Sequence, residues 1–369
     1  MNRAPLEVDR PETVASPALL LHWDAVEENL RRMIAMAGEV SRLRPHVKTH
    51  KLTQIVARQV ELGITKVKCA TIAEAEMSAR AGAMDVLLAA HLTGPAIFRL
   101  LALQGAFPAV KFSALADDEQ ALRALGAAAV AAGQTAVVLL DLDVGQGRTG
   151  LLPDARASAF YRMMGEVPGI VRGGLHVYDG HLHQEDPAER TAACEAAFAP
   201  VTALRAALEQ AGLAVPLVVA GGTPTFPVHA QRPGVECSPG TCVLWDAGYA
   251  AHLPDLVFET AAVLLIRVIS RPGANRLCLD LGHKAVASEM PQPRVIFPAL
   301  PDAAVVMHNE EHLVLETGRA AEFPVGSVLY GIPWHVCPTV ALHGFVHVVR
   351  GGAVGEKWTV TARTLAIQF

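Results

Sequence analysis

Eight short apolar runs, interleaved with stretches in which apolar residues have helical spacing, fill the first two thirds of this chain. That alternation restricts the fold more than any other feature. The runs are "LRPHVKTH" (43–50), "KVKCA" (66–70), "DVLLAA" (85–90), "AVKFSAL" (109–115), "AVVLLDLD" (136–143), "GGLHVYDG" (173–180), "PLVVAGG" (216–222) and "VECSPGT" (235–241). Helices are expected at 24–38, 52–62, 73–82, 94–105, 116–132, 154–165 and 187–212, where the 3.6-residue apolar period holds. Runs that are continuously apolar, rather than alternating, belong to strands covered on both faces. Strand and helix alternating eightfold with such strands specify a closed parallel (β/α)8 TIM barrel, an α/β fold.

After about residue 250 the texture changes. "AAVLLIRVISR", "RLCLDLG", "AAVVMHNEEHLVLE", "GSVLYGI", "FVHVVRGG" and "EKWTVTAR" are β-rich, and Gly/Pro turns separate them. A C-terminal antiparallel β domain follows the barrel in this reading. The expected division is residues 18–248 for the barrel and 1–17 plus 249–369 for the β domain. "ASPALLLHW" near the N-terminus either pairs with that domain or leads into the barrel.

Composition removes several function classes. The net charge is −5 without a basic stripe or interleaved aromatics, which excludes a nucleic-acid partner and favours a small molecule. No positively charged start followed by a long apolar core marks a signal peptide, and no apolar run is long enough to span a bilayer, so no membrane partner is expected. The cytoplasm is the expected compartment. Six cysteines without CxxC spacing read as reduced thiols.

In a barrel of this kind the reacting groups sit where strands end and βα loops begin. Polar residues gather there: Lys48, Thr49 and His50; Asp143 and Arg148; Tyr178, Asp179, His181 and His183; Gly221, Gly222 and Thr223; Gly240 and Thr241. The first of these groups lies in "RPHVKTHK" (44–51), which puts two lysines, two histidines and an arginine into eight residues. On an extended strand His46 and His50 share a face with Lys48, either lining a site or filling the barrel interior.

"RPHVKTHK", "LDVGQGRTG", "GGTPT", "SPGT" and, near the C-terminus, "HVCPT" occur in that order along essentially the whole chain. Together they resemble the D-threonine aldolase and D-serine dehydratase family. The resemblance implies a fold-type III enzyme with an alanine racemase-like barrel, using pyridoxal 5'-phosphate and a divalent metal. It maps the cofactor-bearing lysine onto Lys48, with Lys51 the less favoured alternative. Enclosure at a strand end disfavours the ammonium form and leaves the amine free to attack an aldehyde. Arg148 matches the arginine at the cofactor's phenolate oxygen, and Tyr178 lines the pocket. Gly222, Thr223, Gly240 and Thr241 supply backbone N–H groups and hydroxyls to the phosphate.

The metal falls on His335 and Cys337. In an extended segment these two side chains point the same way, offering an imidazole and a thiolate to one cation. His343 and the run Glu310, Glu311, His312 are alternative ligand sources. Cys337 resembles the zinc-dependent dehydratases, whereas the aldolases usually carry an aspartate there and take the harder Mn²⁺ or Mg²⁺. "DVGQGRTG" and "YDGHLHQEDPAER" look more like the aldolases, where a loop histidine serves as base; His183 is the first candidate and His181 the second. The expectation is a metal-dependent lyase of D-3-hydroxy amino acids, cleaving them to glycine and an aldehyde. The rival is β-elimination to a 2-oxo acid and ammonia. An amino-acid racemase and a noncatalytic cofactor-binding protein stand further off. The family also implies a homodimer.

Overall fold

The computed structural model describes the chain from Leu6 to Gln368; Met1–Pro5 and Phe369, at the ends of the expected β-domain segments, lie outside the described residues. Two compact units divide it. One takes the chain up to Met33, Thr49–Leu52 and Thr241–Arg363; the other takes Ile34–Lys48, Thr53–Gly240 and Thr364 onward.

The chain opens with β1 (Ala18–His22), α1 (Trp23–Ala37) and α2 (Thr53–Glu61), and strand and helix then alternate. The series is β2 (Lys66–Cys69), α3 (Ile72–Arg80), β3 (Asp85–His91), α4 (Pro95–Ala106), β4 (Lys111–Ala116), α5 (Glu119–Ala131) and β5 (Ala136–Leu142). It continues through α6 (Ala155–Met164), β6 (Ile170–Val177), α7 (Pro187–Gln210), β7 (Val218–Ala220), α8 (Phe226–Ala230) and β8 (Val235–Cys237). β2 to β8 pair in sequence order, every pair parallel. Side-chain caps fix where helices begin: Thr71, Asp118, Asp154 and Asp186 each accept a backbone N–H of the following first turn.

The eighth stave departs from the expected strand over 43–50. Leu43 bridges Cys237 of β8 and His46 bridges Lys68 of β2, both in parallel sense, and this closes the barrel. Arg44 N donates to Cys237 O at 2.9 Å, His46 N to Pro239 O at 2.9 Å, and Lys68 N to Pro45 O at 2.9 Å. Pro45 has no N–H to give, so the ladder ends after these contacts. The chain then tightens into a 3-10 turn, Val47–Thr49, which carries Lys48 off the extended path. Leu87, Leu115, Leu139 and Val219, from four different strands, fill the barrel interior as one buried cluster.

The other unit continues with α9 (Ala247–His252), β9 (Ala262–Gly273), β10 (Arg276–Leu279), β11 (Val295–Ile296), β12 (Ala304–His308), β13 (Leu313–Glu316) and β14 (Val328–Pro333). It ends with α10 (Val336–Leu342), β15 (Phe345–Arg350) and β16 (Ala353–Thr359). The sheet order is β12-β13-β10-β9-β1-β15-β16, with β14 also on β9 and β11 on β14. Its pairs are antiparallel except β1 with β15, so the "ALLLH" run near the N-terminus is a strand of this sheet. Val14, Ala18, Leu20, Val263, Leu265 and Val349 pack beneath it. The short helix α10 interrupts what the sequence presents as uniformly β. Among the described residues no helix is long and apolar enough to cross a membrane. All six cysteines are free thiols.

Candidate active site

A cavity of roughly 260 Å³ opens at the C-terminal ends of the barrel strands, and Lys48, Lys68, His91, Asp141, Arg148 and His176 contribute to its wall. Tyr178 belongs to the same wall. The Lys48 Nζ lies 6.0 Å from the Tyr178 ring centroid, the Lys68 Nζ 5.5 Å and the Arg148 guanidinium carbon 5.1 Å, so three cations face one aromatic ring. Arg148 reaches it because the turn that carries it is held by other groups. Asp143 Oδ1 accepts Gly145 N at 2.9 Å and Gly147 N at 3.1 Å, while Asp117 Oδ2 accepts Gly150 N at 2.7 Å. The two aspartates just before this turn are engaged elsewhere: Asp143 caps its own loop, and Asp141 accepts Thr149 Oγ1 at 2.8 Å.

Asp141 also meets His176. Burial would raise the Asp141 carboxyl, but the hydrogen bonds from His176 and Thr149 and the neighbouring His176 and His91 together keep the group below the usual carboxylate range. Burial pulls the His176 imidazolium down in spite of Asp141. A neutral imidazole beside a carboxylate must donate, so His176 Nδ1–H points to Asp141 Oδ1 at 2.7 Å. Its Nε2 is then a bare acceptor with no partner among the described residues. On the other wall, His91 Nε2 stands 3.2 Å from Asp117 and 3.4 Å from Asp141. Lys68, 2 % exposed, is pulled down to about 7 by burial and then by the charge of Lys48, with Asp179 and Asp141 opposing.

The glycine-rich turn after β7 is fixed by a buried network. Asp179 Oδ1 accepts Thr225 Oγ1 at 2.8 Å and Asp179 Oδ2 accepts His229 Nε2 at 2.8 Å, with Cys194 Sγ 3.5 Å from His229 Nε2. Gly221 has φ +78°, and a β-carbon there would stand 2.5 Å from His229 Cδ2, so only glycine fits. Gly222 follows against Tyr178, and Thr223 Oγ1 accepts Gly240 N at 3.2 Å, which brings the turns after β7 and β8 together. Thr241 begins a 3-10 turn in the other unit, its Oγ1 3.6 Å from Cys337 Sγ. Amines, a guanidinium, an aromatic face and a glycine turn fit a planar ligand carrying several negative charges.

The loop histidines part company. His183 is exposed. His181 is half-buried against the Arg148-bearing turn, where a β-carbon at Gly145 would stand 2.8 Å from its Nε2, and its Nδ1 is buried without a partner among the described residues. His50 does not join Lys48. It belongs to the other unit, where burial and then the charge of Lys51 pull it down to about 3; its Nδ1 accepts Leu52 N at 3.1 Å. The shared face expected of His46, Lys48 and His50 needed an extended strand, and the 3-10 turn removes it; only His46 stays on the cavity with Lys48. Lys51 is not a lining residue and takes a left-handed backbone, φ 54°.

His335 and Cys337 are not on an extended segment either: His335 caps α10 and Cys337 falls in its first turn. They still meet. Burial lowers the His335 imidazole, but hydrogen bonds to Cys337 and Glu289 and the charge of Asp246 push it up to about 9. Glu289 Oε1 holds His335 Nδ1 at 2.5 Å, which leaves Nε2 for the Cys337 side, and Asp246 Oδ2 accepts Val336 N at 3.0 Å. A carboxylate-oriented imidazole with a thiol fits a borderline-soft divalent cation and leaves positions for water and substrate. Of the alternative donors, Glu310 and Glu311 pair with Lys284 at 2.7 and 3.0 Å, His343 Nε2 donates to Ala285 O at 2.8 Å, and His312 is exposed. Lys68, His91, Asp141 and His176 escaped the sequence reading; each is a polar residue toward the end of an apolar run.

The family profile described as "Alanine racemase, N-terminal domain" matches residues 21–245, and that described as "Putative serine dehydratase domain" matches 261–349. The chain is 34% identical to a D-threonine aldolase of an Arthrobacter species, over 95% of this chain and 93% of that protein. A crystal structure of D-threonine aldolase from Filomicrobium marinum superposes with a TM-score of 0.89 at 32% identity, covering 98% of this chain and 99% of the other. D-threo-3-hydroxyaspartate dehydratase from a Delftia species superposes with a TM-score of 0.84 at 25% identity, covering 95% and 98%. An alanine racemase-type barrel followed by a serine dehydratase-type β domain, alike over nearly full length to a D-threonine aldolase, places this chain in the D-threonine aldolase family.

Proposed function

We propose that the protein is a pyridoxal phosphate- and divalent-metal-dependent lyase that cleaves D-3-hydroxy amino acids to glycine and an aldehyde. The observation that carries this is the placement of Lys48 and Arg148 around Tyr178 in one barrel cavity. Lys48 would hold the cofactor's aldehyde carbon and Arg148 its phenolate oxygen. Gly222, Thr223, Gly240 and Thr241 would hold the phosphate, and His335 and Cys337 the metal. When bound, the cofactor supplies an electron sink for a bond breaking at Cα, and the cation supplies Lewis acidity at the β-hydroxyl.

The residues of the chain do the rest. Glu289 keeps His335 turned so that Nε2 is the donor. Asp141 holds the Nδ1–H of His176 in the cavity wall, which turns the bare Nε2 of that ring outward from the pair. His181 takes the proton of the β-hydroxyl oxygen; its half-burial and unpartnered Nδ1 support it over the exposed His183. Loss of that proton breaks Cα–Cβ. Loss of the Cα proton first would expel the hydroxyl instead, and the thiol of Cys337, a soft ligand suited to zinc, favours keeping that second outcome in view. The family resemblance further supports a homodimer, and the cytoplasm is the compartment proposed for it.

The test is to load the protein with pyridoxal phosphate and Zn²⁺ or Mn²⁺, supply D-threonine or D-serine, and separate the products. Glycine with an aldehyde supports the aldolase reading, and a 2-oxo acid with ammonia replaces it by dehydration. Chelator-insensitive inversion at Cα, with neither product pair, overturns both in favour of a racemase.

A further inference from the structure

The sulfur of Cys337 has neighbours that the metal reading leaves without a task. The imidazole and the backbone at the start of α10 each have a partner. Glu289 holds the His335 ring, Asp246 accepts Val336 N, and Thr339 Oγ1 donates to His335 O at 2.8 Å while accepting Ala287 N at 3.1 Å. The sulfur is held by two hydroxyls: it lies 3.3 Å from Thr49 Oγ1 and 3.6 Å from Thr241 Oγ1. All three residues belong to one unit, and both threonines are enclosed, Thr49 at 0 % and Thr241 at 6 % exposed. Thr49 Oγ1 makes no other hydrogen bond among the described residues, so the sulfur is what satisfies a hydroxyl cut off from water. Valine has the shape of threonine and would fill the same space; the oxygens call for a reason.

We propose that Thr49 and Thr241 are positioning residues for Cys337: their hydroxyls fix its sulfur for a divalent cation and draw electron density from it. This rests on the reading of His335 and Cys337 as the metal pair. As a thiol, Cys337 donates to Thr49 Oγ1. A metal takes the sulfur as thiolate, and the thiol proton passes to water. Both hydroxyls then donate to the sulfur, because a hydroxyl hydrogen rotates to suit its partners. Hydrogen bonds to a ligand sulfur are one of the levers by which a protein tunes a metal. A thiolate held in this way passes less charge to the cation, which stays a stronger Lewis acid toward an oxygen ligand. The sequence carries a thiol where the aldolases usually carry an aspartate, and two hydroxyls make that soft ligand act more like the hard one.

The experiment loads the full chain with Co²⁺ as a spectroscopic stand-in for Zn²⁺ and records the sulfur-to-metal charge-transfer absorbance; Zn²⁺ affinity follows from competition. Thr49→Val and Thr241→Val keep the shape and remove the oxygen. Each should move the band to longer wavelength, since a sulfur that has lost a hydrogen bond gives up an electron more readily, and the double variant should move it further. Zn²⁺ affinity should fall about 10-fold or more, as it does when groups that orient metal ligands are lost. Thr49→Ser restores the hydroxyl and should return both readouts toward wild type. Glu289→Gln acts through His335 and should weaken binding without moving the band. Thr49, which has no part in the phosphate site, is the decisive position. If Thr49→Val lacks native circular dichroism, Thr49→Ala replaces it, and Thr241→Val against Thr241→Ser decides if neither folds. A band that stays in place in the valine variants overturns the proposal, whatever happens to affinity. A wild type with no thiolate band at all removes Cys337 from the metal site and takes the proposal with it, a separate failure.

Discussion

Replacing Arg44 by methionine tests how the barrel is closed. The Arg44 side chain is 1 % exposed at the N-terminal end of the strands, its guanidinium forked between Asp85 of β3 at 2.7 Å and Glu236 of β8 at 2.6 Å. A stave that makes only isolated bridges to its neighbours thus gains two charge-assisted bonds, one toward each side of the seam. Methionine fills much of the volume but strands the two carboxylates. Removing one partner of a buried pair costs about 3–5 kcal/mol, because the remaining charge keeps its desolvation penalty. The lower end applies here, since Glu236 retains Lys66 and Asp85 retains Lys111 at 3.5 Å. A loss of about 3 kcal/mol, some two powers of ten in the folding equilibrium, is expected from urea unfolding followed by circular dichroism. The pH dependence adds a second constraint. Burial would raise the Asp85 carboxyl, but Arg44 outweighs it and holds its folded pKa below the unfolded value. The stability this provides is present above the unfolded value of about 3.9 and disappears as pH falls through the depressed folded value. The gap between wild type and Arg44→Met should therefore narrow in acid. A loss below about 1 kcal/mol at neutral pH, or one of equal size at pH 3, would refute the argument.

Other positions give shorter tests. Glu289→Gln should weaken binding of Zn²⁺ by about 10–100-fold in a competition titration, because His335 loses the carboxylate that fixes its ring. Gly221→Ala should lower pyridoxal phosphate affinity and stability together, since the new methyl meets His229 at 2.5 Å in a backbone with φ +78°; retained affinity would show that the turn yields cheaply. His181→Asn should reduce turnover of D-threonine by about 100-fold or more while His183→Asn leaves it nearly unchanged, and the reverse order would move the base onto the exposed histidine.

The barrel was legible because its signal is repetitive. Seven helices and seven of the eight expected strands fall where the apolar periods put them, and caps such as Thr71 and Asp186 mark where the helices begin. The eighth strand was the misreading, and its cause is one residue. "LRPHVKTH" has the polarity of a barrel stave, but Pro45 interrupts the ladder and the chain turns at Val47. Period-two reasoning then failed twice, once for His50 beside Lys48 and once for His335 with Cys337, because both stretches turn instead of running straight. In the second case the two side chains meet anyway, since a cap residue and a first-turn residue also converge.

The site was half legible for a related reason. "RPHVKTHK" advertises five basic residues, yet burial sends them to different duties: Arg44 to the barrel seam, His46 and Lys48 to the cavity, a neutral His50 to the other unit, and Lys51 to a left-handed turn. Composition cannot separate these, because it does not show which residues lose water. The overlooked groups show the converse. Lys68 in "KVKC", Asp141 in "LLDL" and His176 in "GGLHV" are single polar residues in apolar runs, and taken one at a time each passes for an incidental interruption. A parallel barrel buries both faces of every strand, so no polar residue near a strand end is incidental: it must be paired, or it must face a ligand. Asp141 and His176 satisfy that demand with each other. Among the described residues Lys68 has no such partner, and the cost of enclosing it falls on its own charge: burial and the nearby Lys48 pull it down to about 7, far below an ordinary lysine.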